Sequence, residues 1–187
     1  MNALDLLLIA FFGGIVGLAF MGGLGKVVSA LVGLYFGVVF AAFFYHPLAL
    51  AVGNIFPNMA LPTGDLLMFL LLLTLGTVAF AAALARTFVM GRFPAWLGWI
   101  NNMSGGVLGV LVALLATILA AMVLSLSVQV LDRTATLGGS PFLVDLQQQM
   151  HTAALVPIFL KFAPTVVATI HPFFPKGLPP LLAPGSY

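Results

Sequence analysis

From Leu4 to Tyr45 the chain is almost wholly apolar, with one acid (Asp5), one cation (Lys26) and a cluster of glycines around that cation. A helix crosses the hydrocarbon core of a bilayer in about 20 residues. A run about twice that length must therefore be two helices and a turn. The turn belongs at residues 22–27, "GGLGKV", where Gly22, Gly23 and Gly25 are poor helix formers and Lys26 can reach the headgroups. Gly25-Lys26 does not end a phosphate loop of the G-x-x-x-x-G-K-[ST] type. Phe20 stands where the first glycine is needed and Val27 where Ser or Thr would hold magnesium.

Composition carries this reading to the whole chain. It is 63% hydrophobic and 5% charged, against about 25% charged residues in soluble domains. Six Lys/Arg and four Asp/Glu cannot dress a water-facing surface, so an integral membrane protein is expected. The net charge of +2 comes from cations dispersed singly, which is not a nucleic-acid footprint. With no cysteine, disulfide and thiolate chemistry are excluded. Asp5 sits where a signal peptide would carry a cation, so the first helix is expected to be retained.

Residues 46–64, with Pro47, Pro57 and Pro62, read as a loop with a short interfacial piece. A third crossing is expected over Leu66–Ala85, opened by Asp65 and closed by Arg86. Arg92, Trp96 and Trp99 in "RTFVMGRFPAWLGWINNMSGG" mark an interfacial helix at headgroup level. A fourth crossing follows over Gly105–Val128, with Asn101 and Asn102 meeting free backbone N–H groups at its start. Residues 153–170 compete for a fifth crossing, but Pro157, Lys161 and Pro164 interrupt them, and amphipathic pieces lying on the surface are expected. The fold class is thus an all-α membrane protein: four transmembrane helices as two hairpins, an interfacial helix before the fourth, and an amphipathic Pro-rich C-terminal tail. Residues 1–128 are expected to form the four-helix transmembrane domain and 129–187 an interfacial or extracytoplasmic C-terminal tail. Lys26 lies in one short loop and Arg86 and Arg92 in another, while the N-terminus and the 46–64 loop carry no Lys or Arg. The positive-inside rule then puts both basic loops in the cytoplasm and both termini outside.

Small residues recur four apart at Gly13/Gly17, Gly33/Gly37 and Gly105/Gly109, a spacing that lets membrane helices approach closely. These six are the expected helix-packing residues; Lys26, Arg86, Arg92, Trp96 and Trp99 are the expected interfacial anchors. Asp5 and Asp65 sit at helix starts, where capping is the ordinary role and an ion relay the alternative. His46, His151 and His171 do not form a metal-spaced set and read as interfacial polar residues, with His46 the one placed to meet a pigment or haem in a larger assembly. No Ser/His/Asp set or HExxH is present, and Ser104 in "NNMSGG" lacks the G-x-S-x-G frame.

The layout of Asp5, then "GLAFMGGLGKVVSALVGLYFGVVFAAFFY" (Gly17–Tyr45), resembles the first hairpin of the colicin V production protein (CvpA) family. "LLMFLLLLTLGTVAFAAALARTF" (Leu66–Phe88) resembles its third helix, and "LGWINNMSGGVLGVLVALLATIL" (Leu97–Leu119) its most specific element, an Asn and glycine pattern opening the fourth. "SPFLVDLQQQM" from Ser140 resembles its serine-headed tail helix, so the likeness spans roughly residues 3 to 155. The chain departs from the pattern in its few basic residues, reduced to Lys26 in the first turn, and in its proline-rich end after Pro172. The resemblance implies a bacterial inner-membrane protein of about four helices, tied to colicin V export and envelope maintenance. Related domains anchor periplasmic serine proteases, whose catalytic domain follows the last helix on the outer side, which fits an outward C-terminus. No catalytic residue carries over.

The function expected is that of a non-enzymatic scaffold or accessory subunit of the cell envelope. Its partners are the lipid bilayer and either further copies or other membrane subunits, with no nucleic acid, cofactor or metal. The alternative is a homo-oligomeric channel or transporter subunit, for which Thr74, Thr77, Thr117 and Ser125 are the mid-helix polar candidates.

Overall fold

The structure is a computed structural model that describes residues 2–57, 59–88, 98–133, 141–174, 179 and 182. Its elements are α1 (Ala3–Ile55), α2 (Leu61–Phe88), α3 (Gly98–Arg133), α4 (Pro141–Thr152) and α5 (Leu155–Ile170), closed by a 3-10 turn over His171–Phe173. The boundary drawn at 128/129 falls inside α3. Four stretches among the described residues are long and apolar enough to cross a membrane: Ala3–Ile55, Leu61–Thr87, Gly98–Asp132 and Leu155–Phe173. The chain is a multi-pass membrane protein.

α1 is 53 residues, about 80 Å of helix and more than twice a bilayer core. It is broken at Gly23, whose φ of 73° and ψ of 171° are not helical. A positive φ of that kind suits only glycine, so the break sits at one of the three glycines of the expected turn. The arm before Gly23 runs back from Ala19 to Val16 beside Gly105 and Gly109 of α3. The arm after it packs Val27 with Val112 and Val38 with Ile118 and Leu119. Both arms therefore leave the break in the same direction along α3. α2 lies antiparallel to the second arm, with Ala81 at Gly33, Thr77 at Gly37 and Ala49 at Gly64.

The helices extend past the expected bounds. α1 continues through Pro47 to Ile55, where a loop was expected from residue 46. Tyr45 and Ala49 are buried against α2, with Tyr45 edge-on to Phe69. That packing outweighs the one N–H that Pro47 cannot donate. Pro62 falls in the first turn of α2, where proline is tolerated. Asp65 is thus inside α2 rather than at its start.

α5 is one helix despite Pro157, Lys161 and Pro164. Pro157 lies in its first turn, and Val156, Ala163, Val167 and Ile170 form a buried face. It starts beside Ser125–Asp132 of α3 and ends beside Leu111–Leu119, so it runs antiparallel to α3. At its far end the Tyr35 hydroxyl donates to the Thr169 carbonyl (2.7 Å) and the Tyr35 ring meets Phe173 edge-on, while Phe174 stacks on Phe43, with centroids 4.5 Å apart. The 16 residues of α5 reach about 24 Å, short of the roughly 30 Å core.

Candidate functional site

The polar side chains of Asn2, Asp5, Tyr35, His46, Asp65 and Asn101 reach from one helix to another, while most of the described hydroxyls donate to carbonyls of their own helices. Asn2 and Asp5 form a capping box at the start of α1: Asp5 N donates to Asn2 Oδ1 and Asn2 N to Asp5 Oδ2, both at 3.1 Å. The same carboxylate reaches across the molecule. Leu155 N donates to Asp5 Oδ1 (2.9 Å) and Ala154 N to Asp5 Oδ2 (3.2 Å). α5 has Ala154 at its N-cap and no side-chain cap of its own, so Asp5 fills the orphan N–H groups of that helix. Asp5 is fully buried. Three backbone N–H donors and a helix N-terminus make that burial tolerable for a carboxylate. Asn2 Nδ2 completes the clip with bonds to Thr152 Oγ1 (3.1 Å) and to the Gln149 carbonyl.

A second cap of the same kind sits at the break in α1. Leu24 N, freed by the non-helical Gly23, donates to Asn101 Oδ1 of α3 at 3.1 Å. Asn101 was expected to serve its own helix; it serves another. A Cβ on Gly23 would run into the Asn101 amide, and one on Gly105 would lie 2.8 Å from the Gly23 carbonyl carbon. The break in α1, Asn101 and the first turns of α3 are therefore one interlocked joint.

Two of the three small-residue pairs lie at helix contacts. A Cβ on Gly33 would be 2.7 Å from Ala81, and one on Gly37 would be 2.7 Å from Thr77 N. Gly105 and Gly109 face Ala19 and Gly23 of the first arm. Among the described residues Thr77 Oγ1 has no hydrogen-bond partner and is buried against Gly37. That placement suits the Cα–H···O contacts that close helix pairs make. Gly13 and Gly17, with Gly14, are exposed, and a Cβ on any of the three would meet nothing within 4 Å.

Of the expected anchors, Lys26 is exposed three residues after the break, Arg86 is exposed in the last turn of α2, and Trp99 is exposed near the start of α3. Arg92 and Trp96 lie outside the described residues. His46 pairs with Asp65, Nδ1 to Oδ1 at 3.0 Å, and joins the second arm to α2. His151 is exposed in the last turn of α4, and His171 opens the 3-10 turn. Among the described residues, no three His, Asp or Glu side chains group as metal ligands.

Asp5 was legible as a cap for its own helix, whereas its reach to α5 was not. One signal was available: no Ser, Thr, Asn or Asp stands directly before Leu155, so its cap had to come from elsewhere. Tyr35 gave no signal at all.

No curated protein and no solved structure matches the chain. A model of the colicin V production protein family matches residues 4–164, from the first turn of α1 into α5. That span includes Asp5 and its α5 partners Ala154 and Leu155, the Gly23–Asn101 joint and both occupied glycine seams. The chain belongs to the colicin V production protein family.

Proposed function

We propose that this protein is a non-enzymatic scaffold or accessory subunit of the bacterial inner membrane, acting through helix packing. The family ties it to colicin V production. The observation that carries the reading is where polarity goes. Asn2, Asp5, Tyr35, Asn101 and the His46–Asp65 pair join helices to one another, while Leu6, Leu18, Met21, Val78 and Val107 are each more than 60% exposed. A surface of that kind meets lipid or another membrane helix. The exposed Gly13, Gly14 and Gly17 offer a second helix the close approach that Gly33 and Gly37 give α2.

In this reading the two arms of α1 form one hairpin and α2 with α3 a second, giving four crossings. α5 is read as a tail helix held at the outer side, so both termini face outward. Against a pore, two of the four mid-helix candidates, Thr74 and Thr117, donate to carbonyls of their own helices (both 2.7 Å), and Thr77 is buried against Gly37 at a helix contact. The chain has no cysteine, so single cysteines test the topology directly. A membrane-impermeant maleimide added outside should label cysteine at Ile55 or Thr152 and spare cysteine at Lys26 or Arg86. Labelling of position 26 from outside would overturn the orientation.

A further inference from the structure

In a chain with four acids and three histidines, one of each opens onto a single cleft of about 540 Å³ between α3, α4 and α5. Asp132 and His151 are exposed at its mouth, with Gln147 beside them on α4. Gln129 and the buried Ser125 line it on α3, Gln129 Nε2 donating to Ser125 Oγ at 3.3 Å. Val156, Pro157 and Leu160 of α5 make the facing wall apolar. The helix clip described above uses none of these polar groups.

We propose that this cleft binds the headgroup of a zwitterionic aminophospholipid; the inference rests on reading α3 as membrane-spanning. The cleft lies at the end of α3 that carries the N-terminal clip, where a crossing helix meets the headgroup layer. Among the described lining residues Asp132 supplies the one carboxylate, a charge-assisted acceptor for a primary ammonium. The Gln129 and Gln147 amides and the His151 ring supply N–H donors suited to phosphate oxygens. The α5 wall suits the start of an acyl chain, a match that a soluble amine would not use. Anionic lipids without an amine would leave Asp132 facing phosphate with no cation between them.

The test uses the full chain reconstituted in vesicles of equal parts phosphatidylethanolamine and phosphatidylglycerol, gently extracted, with retained lipid identified by native mass spectrometry. Wild type should retain phosphatidylethanolamine in preference to phosphatidylglycerol. Asp132→Asn should reduce that preference about tenfold, the loss of one charge-assisted contact. Gln147→Leu should weaken retention without reversing the preference. Both variants alter partly or fully exposed residues, and an unchanged melting temperature in detergent shows that they fold. Equal retention of the two lipids by wild type, or an unchanged preference in Asp132→Asn, overturns the proposal. Displacement of the lipid by soluble glycerophosphoethanolamine at equal concentration also overturns it, since a water-borne amine would then be the occupant. Cysteine labelling reports the topology separately, so failure of either result is distinguishable from failure of the other.

Discussion

At the scale of single residues, two side chains close breaks that their own helices did not create. Asn101 caps the second arm of α1 at Leu24, and Asp5 caps α5 at Ala154 and Leu155. A cap of this kind is worth about 1 kcal/mol, and Asn101→Ala should lower stability by that amount in thermal unfolding in detergent. Gly23→Ala should cost more. It adds backbone strain of about 1–3 kcal/mol at φ 73° and a clash with the Asn101 amide. Because the two positions touch, their costs should not add in the double variant, and additivity would separate the joint into unrelated parts. Asp5→Asn offers one carbonyl oxygen where two carboxylate oxygens now accept. Amide exchange at Ala154 or Leu155 should rise while α1 stays intact, and unchanged exchange at both would remove Asp5 from the cap. These residues show why long-range caps escape a reading of sequence. Asp5, Asn101 and their N-terminal positions were legible, but donor and acceptor stand 77 to 150 residues apart. Nothing local marks the pairing.

At the scale of elements, glycine spacing reads well and proline reads badly. Gly33, Gly37, Gly105 and Gly109 stand at close contacts, because a missing Cβ acts the same way wherever two helices cross. Pro47 and Pro164, by contrast, sit within helices, because buried neighbours such as Tyr45, Ala49 and Ala163 hold the backbone through the lost N–H. The helices α1, α2 and α3 were therefore visible in the apolar runs, while their ends and the single helix α5 were not. Leu at Gly33 or Gly109 must push apart backbones now in contact, a cost of about 1–3 kcal/mol or more. Both variants should accumulate less in the membrane than wild type. His46→Ala should accumulate normally, since His46 is 51% exposed and such pairs contribute about 1 kcal/mol or less. Normal accumulation of both leucine variants would contradict the packing account.

At the scale of the whole molecule, helix joints face inward and apolar side chains outward, with one small-residue stripe uncovered. A Cβ on Gly13, Gly14 or Gly17 would meet nothing within 4 Å, so leucine there should leave the fold intact while filling the groove a partner helix would use. The most direct measurement is the native mass of the gently extracted protein, wild type beside a Gly13→Leu/Gly17→Leu variant. The account predicts a defined assembly for wild type, with further copies or other chains, and a monomer of unchanged stability for the variant. Equal native masses, whether both assembled or both monomeric, would contradict the claim that this face recruits a partner.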